Sequence, residues 1–260
     1  MARALASRHG LRWFPVDAFW YAHNARLKNA RLKNARLNEP ELTPDEQWLG
    51  QTPEEQAEAF AETSRQRLLL AMEDLAQLPK RPSTLVEGPQ VLPELLPSGA
   101  AAVFLIPTPE FQRSVLALRA LPPTANPRVA LENRIKKDQL YAERLASLAS
   151  EHGFPAIAVD GTRSPEEILA TIEHLFAEVL DANRGPVDLQ PVRRWENEVI
   201  ADNVRRWLAS PDAAPGPPRA YSFSCECGRR GCSTQVDLAL EDFQAMSHVV
   251  APAHALGGGN

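Results

Sequence analysis

Cysteine, methionine and tyrosine are scarce in this 260-residue chain, at three residues each, and lysine supplies only five of the 28 basic side chains. The three cysteines all fall between positions 225 and 232. An odd, clustered set excludes the spread disulfide framework of a small secreted domain. No apolar run approaches the roughly 18 residues that a membrane span needs, so a transmembrane helix is excluded. The opening MARALASRHG has neither an apolar stretch nor a small-residue cleavage site. No signal peptide is therefore expected, and the cytoplasm is the expected compartment. Positive charge is not in excess either: the net charge of −5 argues against a protein whose main ligand is nucleic-acid phosphate. Neither a nucleic-acid nor a membrane partner is expected. What is present, 44% hydrophobic and 23% charged residues, suffices for a buried core.

Local patterns give the organisation. Ala2, Leu5 and Ala6 recur at helical spacing, and Gly10 stands where a helix ends. Residues 11–17 read as a short strand ending in Asp17. Residues 24–38 then spell NARLK, NARLK, NARLN, a five-residue period that matches neither helix nor strand. Two readings apply: a basic contact segment, or an insertion in a tolerant surface loop. Thr43-Pro44-Asp45-Glu46 and Thr52-Pro53-Glu54-Glu55 both carry a hydroxyl cap, a proline at the first position and acids in the first turn. The second opens a long amphipathic helix to about residue 78. Residues 83–88, 100–106 and 155–160 are continuous apolar runs, as in strands of a parallel sheet buried on both faces. Helical patterns fall at 109–121, 127–152 and 165–180. Strands alternating with helices predict a doubly wound α/β domain.

In such a sheet, ligands sit outside the carboxyl ends of the strands. Asp17 and Glu87 each follow a strand, and two such carboxylates can converge on one crevice. One can orient or deprotonate a hydroxyl, and the other can hold a metal-bound water. Acids are also common at strand ends simply because the chain leaves the sheet there. Arg119, Arg134, Lys136, Lys137 and Arg144 lie on the two helices after the third strand. They suit a bidentate phosphate clamp or, equally, a solvated helix face.

Five stretches in a fixed order resemble the P-loop small-molecule kinases, the group around shikimate, gluconate and nucleoside kinases. They are RWFPVD at 12–17, LVEG at 85–88, VFLIPTPEFQRSVLALR at 103–119, NRIKKDQLYAERL at 133–145 and AIAVDGTRSPEEI at 156–168. The resemblance spans residues 1–182. It implies ATP-dependent phosphoryl transfer to a small hydroxyl-bearing molecule, with magnesium. Asp17 would contact substrate, and Glu87 would stand near the metal. Arg119 and Arg134 would be lid arginines, and Asp160, Gly161 and Thr162 would lie beside the adenine. One departure matters most: the sequence has no Gly-x4-Gly-Lys-Ser/Thr loop and no Gly-Lys dipeptide. That loop supplies the backbone N–H groups and the lysine that hold the phosphates. MARALASRHG resembles the helix that follows it. The expectation is either a native start roughly 20–30 residues upstream, or a scaffold that no longer binds ATP. A sheet lacking its central strand leaves buried edges unpaired, which favours the upstream start.

After residue 186 the texture changes. Residues 191–210 read as an Arg/Trp-rich helix, and 211–218 (PDAAPGPP) as a linker. Cys225, Cys227 and Cys232 form Cys-x-Cys-x4-Cys, and Gly228 and Gly231 permit the tight turns of a thiolate cluster. With His254 as fourth ligand, and His248 only second to it, three sulfurs and one nitrogen suit tetrahedral structural zinc, a staple for a segment too small to build its own core. Unligated thiols in a hairpin and redox use of Cys225 and Cys227 are the other readings. The segment also resembles a recurrent CECG-type tail of actinobacterial proteins in which a late histidine follows. The expected architecture is an α/β domain with a parallel sheet flanked by helices and its first strand missing, plus a small C-terminal Cys-rich module. The boundaries are 1–185 for the kinase-like domain, 186–218 for helix and linker, and 219–260 for the cysteine module.

Overall fold

The first helix ends where its glycine predicts: Gly10 adopts the left-handed conformation (φ 65°), and its N–H is turned back onto Ala6 and Ser7 carbonyls. The computed structural model describes residues 1–33, 42–119, 124–182, 185–210 and 219–255. Along the chain these form α1 (Ala2–His9), β1 (Arg12–Pro15), α2 (Trp20–Lys33), α3 (Pro53–Ala76), β2 (Thr84–Glu87), β3 (Phe104–Pro107), α4 (Pro109–Leu116), α5 (Pro127–Glu151), β4 (Ala156–Val159), α6 (Pro165–Leu175), α7 (Ala177–Asp181), α8 (Gln190–Leu208), β5 (Tyr221–Ser224), β6 (Gln235–Leu238), α9 (Leu240–Ala245) and α10 (Pro252–Ala255). Among the described residues no helix is long and apolar enough to cross a membrane.

The helix starts follow their cap residues. Thr43 and Glu46, Thr52 and Glu55, and Ser164 and Glu167 each form a reciprocal capping box, with the hydroxyl accepting from the acid's N–H and the acid accepting at the cap. The five-residue repeat departs from a loop reading: its first two copies lie within α2. Ala, Arg, Leu and Lys are good helix formers, and propensity outweighs the unhelical period. The third copy lies outside the described residues.

The fold is mixed α/β with parallel strand pairs. β1 pairs with β2 in register Arg12↔Thr84 to Pro15↔Glu87, and β3 pairs with β4 in register Phe104↔Ala156 to Pro107↔Val159. Among the described residues no third strand joins either pair. The expected burial on both faces is not met: β2 is half-buried throughout, and Ala156 and Ala158 of β4 are exposed. A two-strand sheet has too few neighbours to be covered on both sides.

The chain divides into two units. Unit 1 comprises Met1–Lys33, Asp74–Gly88 and Glu173–Asn260, and unit 2 comprises Asn34–Glu73 and Pro89–Ile172. In unit 2, α5 packs on β3, β4 and α4. A core of Ala61, Leu68, Leu92 and Tyr141 is flanked by Phe60, Leu95 and Leu145. The Tyr141 hydroxyl donates to the Pro89 carbonyl at 2.7 Å, which satisfies its buried polar end.

In unit 1, α8 packs against α2, β1 and β5. Its inner face is polar. Arg193 and Glu196 are almost fully buried and paired at 2.6 Å. Arg193 also donates to the carbonyls of Leu11 and Ala6, while Glu196 accepts from the Trp13 N–H at 2.7 Å. Phe14 stacks on Phe19 at 4.5 Å and lies 6.2 Å from Trp195 of α8. A second core, Ala201, Val204, Phe223, Leu240, Phe243 and Val249, joins the outer half of α8 to the hairpin and α9.

Candidate metal centre

The hairpin β5–β6 is antiparallel, in register from Tyr221↔Leu238 to Ser224↔Gln235. Its alternation sends Phe223 inward, where the ring stacks on Phe243 at 4.2 Å. Past Ser224 the strand continues one step, with the Cys225 N–H donating to the Thr234 carbonyl at 3.0 Å. The chain then turns through Gly228 (φ 71°) and Gly231 (φ 84°), both left-handed positions that exclude most side chains. A late segment returns to this loop. The Glu226 N–H donates to the Val249 carbonyl at 2.6 Å, and the Ala251 N–H reaches Cys225 Sγ at 3.3 Å. His254 stands in α10, with its N–H held by the Ala251 carbonyl at 2.8 Å.

These elements bring four donors together. The Sγ atoms of Cys225, Cys227 and Cys232 and a ring nitrogen of His254 all lie within 4.8 Å of one another. His254 Nδ1 is 3.3 Å from Cys225 Sγ and 3.5 Å from Cys232 Sγ. Tetrahedral zinc with ordinary Zn–S and Zn–N bonds separates sulfur from nitrogen by about 3.6 Å. The donor set and its spacing therefore fit a metal ion. Of the two histidines considered from the sequence, His254 joins the cluster. His248 does not: its Nδ1 faces a Glu226 carboxylate oxygen at 3.5 Å, and its side chain is 54% exposed.

Each sulfur has a hydrogen-bond donor beside it. Cys225 receives the Ala251 amide, Cys227 that of Arg229, and Cys232 both the amide and the hydroxyl of Thr234. Yet burial, with the nearby sulfurs of Cys232 and Cys225 adding to it, pushes the Cys227 thiol up to about 11. Cys232 moves the other way: bonds from Thr234 and from the neighbouring sulfurs hold its thiol down against the cost of burial. A divalent cation at the centre of the cluster would favour the thiolate form.

No protein-family model, curated protein or solved structure matches this chain.

The surroundings of the cluster are built from residues that sequence reading missed. Glu226, between the first two cysteines, is fully buried. It accepts from Asn197 Nδ2 at 2.7 Å and from the Val249 N–H at 3.2 Å, with Arg194 at 3.8 Å. The Arg230 guanidinium donates to the His9 and Gly185 carbonyls at 2.9 and 3.0 Å, and the Gly231 N–H donates to Ser7 at 2.9 Å. The cysteine loop thereby caps the carboxyl end of α1. One signal was legible: Arg193, Glu196 and Asn197 lie at i, i+3 and i+4, on one face of α8.

The remaining candidates fall in both units. Asp17 is exposed in a 3-10 turn just after β1, and Glu87 ends β2, the strand paired with β1. The two are close enough for their charges to interact. Burial first, and then Asp17, raise the Glu87 pKa. The other candidates are in unit 2. Arg119 is exposed in the turn after α4. Arg134 lies over the Trp48 ring at 5.9 Å and 4.0 Å from Asp138. Asp160 accepts from the Thr162 N–H and hydroxyl at 2.9 and 2.7 Å, and these bonds lower its pKa. Gly161 (φ 83°) is there for steric reasons, since a Cβ would meet the Phe111 ring at 2.8 Å.

Proposed function

We propose that this chain is a zinc-binding protein whose metal is structural, held by Cys225, Cys227, Cys232 and His254 in a module that serves interaction or regulation rather than catalysis. The convergence of three sulfurs and one imidazole nitrogen within 4.8 Å carries this reading. Four protein donors complete a tetrahedron and leave no position for substrate, which is the arrangement of structural sites. The test is metal content of the purified full chain by mass spectrometry, with melting followed before and after a strong chelator. One zinc per chain and a marked loss of stability on chelation are expected. A metal-free protein that melts identically with and without chelator would overturn the reading.

A second reading concerns residues 1–182: a small-molecule kinase scaffold performing ATP-dependent phosphoryl transfer when a phosphate loop is present. Two observations support it. β1–β2 and β3–β4 each pair in parallel, as strands of an α/β kinase sheet do. Asp17 and Glu87 also stand at the carboxyl ends of paired parallel strands. The sequence itself contains no phosphate loop. Intact mass and N-terminal peptide analysis of the natively expressed protein decides. A start upstream that carries Gly-x4-Gly-Lys-Ser/Thr sustains phosphoryl transfer, and a native start at Met1 removes it.

A further inference from the structure

A pocket of about 330 Å³ in unit 1 is lined by Asp17, Trp20, Tyr21, Asn203, Val204 and Trp207. It lies where the 3-10 turn and α2 pack on α8, apart from the four metal donors. Three of its six residues are aromatic, one is a carboxylate, and none is basic. Trp20, Tyr21 and Trp207 are half-buried, so their rings are fixed by packing while still accessible. Asn203 Oδ1 is shut off from water with no hydrogen-bond partner, an acceptor that the fold leaves unsatisfied. The Trp207 ring already attracts a cation: the Arg219 guanidinium carbon lies 5.6 Å from its centroid.

We propose that this pocket binds a small organic cation bearing N–H donors, an alkylammonium or alkylguanidinium group, through the Trp20, Tyr21 and Trp207 rings and the Asp17 carboxylate. Ring quadrupoles and a carboxylate favour positive charge together, and no lysine or arginine is among the lining residues, although the Arg219 guanidinium at the Trp207 ring is a cation with which a ligand on that ring competes. An anionic ligand meets the opposite conditions. The N–H requirement follows from the exposed acceptor in the wall, the Asp17 carboxylate. The inference stands independently of both readings above, because it needs neither zinc chemistry nor phosphoryl transfer.

The experiment titrates the zinc-loaded full chain with n-butylammonium, and separately with 1-butanol, while the tryptophan indole N–H signals are followed by NMR. A saturable shift of the Trp20 and Trp207 signals with butylammonium, and none with butanol, is expected. Asp17→Asn and Trp207→Ala each weaken binding by roughly threefold to thirtyfold, whereas Trp207→Phe retains most of it. Because Asp17 is exposed, its variant keeps the fold and decides the matter if Trp207→Ala unfolds. No saturable shift, an equal response to butanol, or an unchanged affinity in Asp17→Asn would each overturn the proposal.

Discussion

Asn197 brackets the backbone of Ser224: its Nδ2 donates to the Ser224 carbonyl at 2.9 Å, and its Oδ1 accepts from the Ser224 N–H at 2.7 Å. One helix side chain thus fixes the last strand residue before Cys225. The same Nδ2 reaches Glu226 on the other side of that cysteine. The first cysteine of the cluster is held from α8, not only by its own loop.

Asn197→Leu removes these buried bonds and strands the Ser224 groups and the Glu226 carboxylate. Each unsatisfied buried group costs about 1–3 kcal/mol. We expect urea denaturation of the zinc-loaded variant to show a loss at the upper end of that range or above, and competition with a chromophoric chelator to show weaker zinc retention. Asn197→Asp, which keeps the acceptor and loses the donor beside a carboxylate, should be no better.

Cys225→Ser and His254→Ala should each lower the bound zinc well below one per chain. Structural zinc contributes about 10–16 kcal/mol of binding in small zinc-finger peptides, so even a fraction of that couples strongly to folding. Loss should extend to α1, since Arg230 and Gly231 of the cysteine loop bond to its carboxyl end. Hydrogen exchange along α1 after chelation checks this. Exchange that accelerates only within residues 221–255 would contradict the coupling.

The pair of Arg193 with Glu196 offers a charge test. Deleting one member of a buried pair leaves the other uncompensated, at about 3–5 kcal/mol. Arg193→Met should therefore destabilise severely by thermal melting. The double variant Arg193→Met with Glu196→Leu should recover part of that loss.

Glu87 predicts a pH dependence. Burial and Asp17 raise its folded pKa above the unfolded value, so between the two the folded chain binds more protons. Its contribution is then fully present below the unfolded pKa, near the ordinary carboxylate value, and declines as pH rises through the folded pKa. Glu87→Gln abolishes that decline. In urea titrations across this window the variant should gain on the parent as pH rises. Parallel stability curves would refute the assignment.

Local chemistry in the sequence was enough for much of this chain. The threonine and serine capping boxes, the Gly10 stop and the short apolar runs of β1 to β4 each depend on neighbours within a few residues, and the strand and helix positions follow from them. The cysteine cluster was legible for the same reason, because three thiols with two turn-permitting glycines between them define a cluster on their own. β5 and α9 were not singled out, since their apolar residues take their meaning from Ala201 and Val204 of a helix before them.

What the sequence by itself determined is where the capped helices and the short apolar strands of residues 1–182 lie, and that Cys225, Cys227 and Cys232 belong together. His254 is already preferred over His248 on sequence alone, but how it reaches the cysteines required the tertiary structure, because that depends on the Glu226–Val249 backbone bond that returns a distant segment to the loop. The role of α8 required it as well. The buried roles of its arginine, glutamate and asparagine emerge only once Leu11, Trp13 and Ser224 are seen to supply their partners. Short-range preferences are written in adjacent residues. The partner that satisfies a buried polar group is decided only when the chain folds back on itself.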